Sequence, residues 1–79
     1  MKTERIGVID IGVDGSDEYL LVSTDEPTIP AKVKRYLLER FYRDTTQEAG
    51  GYYCHNVTVL EHPLSDSKFV AVIHHRYDV

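Results

Sequence analysis

A chain of 79 residues is enough for one small domain, residues 1–79, with a core thin enough that self-association into a homodimer is expected to help it. An apolar content of 42% excludes a disordered chain, the absence of any long apolar run excludes a membrane span, and a net charge of −4 argues against a generic nucleic-acid binder. The single cysteine, Cys54, excludes an internal disulfide framework, and Met1–Arg5 leads into a strand pattern with no apolar signal segment, so a cytoplasmic, reducing setting is expected.

The charge is unevenly spread. Residues 1–31 carry a net −5, residues 32–43 a net +4 and the remainder a net −3, a polarisation that bears on association rather than on fold.

The first two predicted elements are strands, Arg5–Val13 and Glu18–Thr24, both rich in Ile, Val, Leu and Tyr. Asp14-Gly15 between them is a strong hairpin signal, because a two-residue type I′ turn needs positive φ at both central residues. Such a turn sets Ile11 opposite Glu18, Ile9 opposite Leu20 and Gly7 opposite Val22. Ile9, Ile11, Leu20 and Val22 then share one face, with Ile6, Val8, Asp10, Tyr19 and Leu21 on the other.

Asp25–Pro30 reads as a helix entry, with Thr28 able to cap and Pro30 suited to the first turn. The helix is expected over residues 30–49, with Val33, Leu37 and Phe41 as an apolar stripe flanked by Leu38 and Thr45, and with Gly50-Gly51 as its stop. Its other side collects Lys32, Arg35, Tyr36, Arg40 and Arg43, a basic stripe partly paired with Glu39.

A second hairpin is expected from Tyr52–His62 and Lys68–Val79. Phe69, Ala71 and Ile73 alternate with Val70 and Val72, so this last strand is apolar on both faces, the pattern of a strand interior to a sheet. The predicted fold is α+β, in the order ββαββ: a four-stranded antiparallel sheet with one amphipathic helix packed on one face. A single helix leaves the other sheet face open, with Ile6, Val8, Tyr19, Leu21, Tyr52, Leu60, Val70 and Val72 as its apolar residues. An open face of that makeup serves self-association or a partner, and Val8, Tyr19, Leu21, Tyr52, Val70 and Val72 are its candidate contact residues.

Candidate chemistry is sparse. Cys54, His55, His62, His74 and His75 fall on the second hairpin, but strand neighbours alternate faces, whereas zinc needs three or four ligands converging at about 2.0–2.3 Å. A Cys54 nucleophile with a histidine base also needs an orienting group, an oxyanion donor and a cleft. Asp10, Asp14 and Gly15 stand at the first, fifth and sixth positions of a calcium loop, but Gly12 and Leu21 occupy the third and twelfth, where oxygen ligands are required.

Ile9-Asp10-Ile11-Gly12 followed by a hairpin resembles the first strands of RNase H-like nucleases and actin-like ATPases. The resemblance covers about twenty residues. It implies a metal- or phosphate-binding Asp10 that would need further strands and distant carboxylates, which 79 residues do not supply.

No metal, cofactor or catalytic set is therefore expected. The functional expectation is a small acidic, non-enzymatic protein that binds or blocks another macromolecule, a protein partner foremost, in the manner of phage and mobile-element accessory factors and inhibitors. The alternative is a nucleic-acid or nucleotide binder using Lys32, Arg35, Tyr36, Arg40 and Arg43, where bases neutralise phosphates and an aromatic stacks a base. A third is a metal- or cysteine-dependent activity at the second hairpin.

Overall fold

The structure, a computed structural model, describes residues 1–42 and 52–77. Strand β1 (Lys2–Asp10) leads through a short 3-10 turn (Gly12–Asp14) into β2 (Gly15–Ser23), then come helix α1 (Pro30–Tyr42), β3 (Tyr52–Val59) and β4 (Lys68–Tyr77). The four strands form one antiparallel sheet in the order β1-β2-β4-β3. The ββαββ order and the single helix match the sequence expectation, and β4 is interior, as its two apolar faces require.

The strand order explains where the helix goes. β2 and β3 are both antiparallel to β4, so they run parallel to each other and need a crossover connection, which α1 supplies. The helix runs closest to β3, and its apolar stripe closes the core over β2, β4 and β3. Val33 and Leu37 of α1 pack onto Leu20 and Val22 of β2, Val57 and Val59 of β3 and Phe69, Ala71 and Ile73 of β4, with Tyr36, Leu38 and Phe41 half-buried beside them. Phe69, Leu37, Ile73, Val22, Val33 and Val57 are fully buried, and Phe41 is not among them. β1 contributes no residue to this core.

The helix begins as Pro30 dictates. Proline at the first helical position gives up an N–H that would have no partner there, and the Ile29 carbonyl takes the first helical bonds, from Lys32 N at 3.1 Å and Val33 N at 3.3 Å. Thr28 is tied elsewhere, its N–H donating to the Asp66 carbonyl at 2.9 Å, while Thr24 N donates to Ser67 O at the same distance. These two bonds fasten the entry to α1 onto the β3–β4 loop. The expected continuation of the helix through Thr45 to its Gly50-Gly51 stop lies outside the described residues.

The first hairpin departs from expectation. Asp14-Gly15 is not a two-residue turn: Asp10 pairs with Ser16, and five residues lie between the members of this pair. Asp10 Oδ1 accepts the Gly12 N–H at 2.9 Å, and Ile11 N donates to Gly15 O at 3.0 Å. Gly15 is required for a different reason from turn geometry. Its φ is 141°, and a Cβ there would collide with the His75 carbonyl of β4.

The longer loop, together with a bulge between Arg5 and Gly7, moves the register. Leu20 faces Arg5 rather than Ile9, and Val22 faces Thr3 rather than Gly7. Between the turn and the bulge the slip is three residues, with Ile9 facing Asp17 rather than Leu20, and because side chains alternate this carries Ile9 to the sheet face away from the core and Val8 to the helix side.

Candidate interaction surface

β1 lies outside the roof of the helix. Of its nine residues only Thr3 is half-buried and the rest are exposed. Ile6 is 55% exposed, Val8 49% and Ile9 54%, and in the following turn Ile11 and Val13 are also exposed, Val13 at 88%. On the helix side of the sheet β1 presents Thr3, Arg5, Val8 and Asp10, as their pairing with Val22, Leu20, Glu18 and Ser16 shows. On the far side it presents Lys2, Glu4, Gly7 and Ile9, paired with Ser23, Leu21, Tyr19 and Asp17. The result is an edge strand carrying apolar groups on both faces and continuing into an apolar turn.

The open sheet face differs in detail from expectation. Tyr19, Leu21, Val70 and Val72 do share it. Val72, however, is 8% exposed, because Tyr19 on one side and Thr58 on the other stand directly opposite it, and Tyr19, Leu21 and Val70 are half-buried. Val8 belongs to the helix side, a correction that follows from the longer turn of the first hairpin. Tyr52 opens β3 opposite Tyr77, and its side chain falls outside the described part of the structure.

Beyond the apolar centre, the open face ends in a polar chain. Asp17 Oδ1 is 3.0 Å from His74 Nδ1, and His74 Nε2 is 2.8 Å from Thr58 Oγ1, which links β2, β4 and β3. Arg76 Nη1 reaches the same Asp17 oxygen at 3.0 Å. Partial burial by itself would raise the Asp17 carboxyl, but the hydrogen bonds from His74 and Arg76 and their positive charge outweigh it and hold the group below the usual Asp value. An ionised Asp17 can only accept, so Nδ1 carries the proton. With Nδ1 protonated, Nε2 of a neutral ring is the acceptor for a hydrogen bond donated by the Thr58 hydroxyl.

That is the order of a carboxylate, imidazole and hydroxyl relay, and it ties three strands together. Arg76 shares the carboxylate, and Thr58 is exposed on an edge strand. On the other face the His75 ring pairs with Glu18 at 2.8 Å, so the adjacent histidines each tie β4 to a carboxylate of β2. No three histidine, cysteine or carboxylate groups converge as a metal site among the described residues. His55 sits at the register shift between Cys54 and Asn56.

The helix stripe is also divided. Lys32, Arg35 and Arg40 are exposed, and Arg43 lies outside the described residues. Tyr36, expected beside them on the surface, is half-buried against the core, and its hydroxyl accepts a bond from Arg40 Nη1 at 3.3 Å. Arg40 also stands over the Phe41 ring, 5.7 Å from its centroid. The aromatic needed for stacking a base is thus committed to the helix–sheet contact.

Among the described residues no helix is long and apolar enough to cross a membrane. Comparison with known protein families, with curated proteins and with solved structures finds no match to this chain.

Proposed function

We propose that the protein acts without chemistry of its own, by docking in the cytosol on a protein partner through β1 and the turn Gly12–Asp14, and so binding or blocking that partner. The observation that carries this reading is the exposure of Ile6, Val8, Ile9, Ile11 and Val13 along one edge of the molecule. Each such side chain is worth roughly 1.5–3 kcal/mol when fully removed from water, so a partner that covers the edge gains more than any exposed ion pair would give it. The lone Cys54 suits a reducing compartment.

The reading is tested by cross-linking and affinity capture with wild type, Ile9→Glu, Val13→Glu and Arg35→Glu, each first checked for folding by circular dichroism. The partner should be lost with Ile9→Glu and Val13→Glu and kept with Arg35→Glu. The opposite pattern, with a steep loss on adding salt, would move the function to the basic helix face and to a phosphate-bearing ligand.

A further inference from the structure

We propose that the strand covering β1 is β1 of a second copy, paired antiparallel about a two-fold axis between Ile6 and Gly7 to give a continuous eight-stranded sheet. This rests on the reading of β1 as the docking surface and names its occupant.

The bulge divides β1 into two stretches whose side chains alternate out of phase. Before it, Thr3 and Arg5 lie on the helix side of the sheet and Lys2 and Glu4 on the far side. After it the parity is switched, with Val8 and Asp10 on the helix side and Gly7 and Ile9 on the far side. A strand that extends the sheet must set helix-side residues against helix-side residues. Two copies of β1 satisfy this along their length when Thr3 faces Asp10 of the second copy, Glu4 faces its Ile9 and Arg5 faces its Val8. Sliding by one residue sets Lys2 against Asp10, which point to opposite faces. Sliding by two in one direction brings the two Arg5 side chains together at the axis, and in the other direction it opposes Gly7 and Val8, again on opposite faces.

The surviving register is also the chemically complementary one. Arg5 lies across from Val8 of the second copy, so its aliphatic stem covers a valine that is 49% exposed in one chain. The Arg5 guanidinium is then diagonal to Asp10 of that copy, within reach of an ion pair, and symmetry makes the pair twice. Ile6 falls opposite Gly7 of the second copy, and a Cβ built on Gly7 meets nothing within 4 Å, which leaves room for the isoleucine. The segment Lys2–Asp10 carries Lys2, Glu4, Arg5 and Asp10 and is neutral, so the overall −4 does not oppose contact here. Bulges and charges on an edge ordinarily deter pairing. Here the bulge supplies the change of face that makes the strand complementary to itself.

The test has two arms. Sedimentation equilibrium of the full chain at micromolar concentration should show a dimer. In a Cys54→Ser background, Arg5→Cys protein mixed with Val8→Cys protein and mildly oxidised should form a disulfide-linked pair, since directly opposed residues have the Cβ separation that a disulfide accepts. The mixed dimer keeps the second Arg5–Val8 contact intact. Glu4→Cys mixed with Val8→Cys, on opposite faces, should show loss of that product. A monomer in sedimentation, or equal cross-linking of the two mixtures, overturns the inference. If the chain is monomeric while Ile9→Glu still abolishes capture of another protein, the second copy is excluded and the docking surface stands. If capture is also unaffected, both fail.

Discussion

β4 and β1 are strands of nearly equal length, and the fold treats their apolar residues in opposite ways. In β4, Phe69, Ala71 and Ile73 have no exposed surface and Val72 has little, while in β1 Ile6, Val8 and Ile9 keep about half of theirs. The difference lies in position. β4 is flanked by β2 and β3 and roofed by α1, whereas β1 has one neighbour and no roof. The apolar residues of a strand in a sheet this small are therefore core or contact surface according to where the strand lies and where the crossover passes.

The comparison is broken most strongly by cutting into β4. Phe69→Ala should cost about 3–5 kcal/mol in urea unfolding, a large share of what a domain of this size has, while Ile9→Ala in the monomer should cost under about 0.5 kcal/mol. Equal costs would mean that β1 is part of the core. Two glycines sharpen the same contrast. Gly15→Ala drives a Cβ into the His75 carbonyl at positive φ and should destabilise by more than about 1 kcal/mol. Gly7→Ala in β1 meets nothing within 4 Å in one chain and, in the monomer, should stay within about 0.5 kcal/mol of wild type.

The polar clamp between β2 and β4 should show in acid. The Asp17 carboxyl is held below its usual value, so its contribution is complete above the pKa of the unfolded chain, about 3.9, and is lost as the pH falls through the lower folded value. Stability of wild type should therefore exceed that of Asp17→Asn at neutral pH, and the gap should close on acidification below about pH 4. A gap independent of pH would mean that the ionised carboxylate is not what His74 and Arg76 hold. The smallest effect is expected at the helix surface, where Arg35→Glu should change stability by less than about 0.5 kcal/mol.

The architecture was legible where periodicity and burial agree. Val33 and Leu37 recur at helical spacing and are buried, Pro30 starts the helix, and the double-sided apolar run from Phe69 to Ile73 marks an interior strand. The register of the first hairpin was not, because Asp14-Gly15 carries the hairpin signal while the turn is longer. Gly7, a glycine inside a strand, was the available sign of the bulge, while it is the longer turn that moves Ile9 off the core side. Tyr36 was misplaced because an amphipathic tyrosine fits either side of a helix, and here Arg40 satisfies its hydroxyl at the margin of the core. The Asp17–His74–Thr58 chain depends on long-range pairing of three strands, which a single sequence does not reveal.

The claim that β1 is a contact surface covered by a second copy is tested most directly by amide hydrogen exchange at several protein concentrations, read separately for Lys2–Asp10 and Lys68–Tyr77. The account predicts that β4 exchanges slowly at every concentration, while protection at β1 appears as concentration rises into the micromolar range. Exchange at β1 that is as slow as in β4 and unchanged by dilution would contradict it.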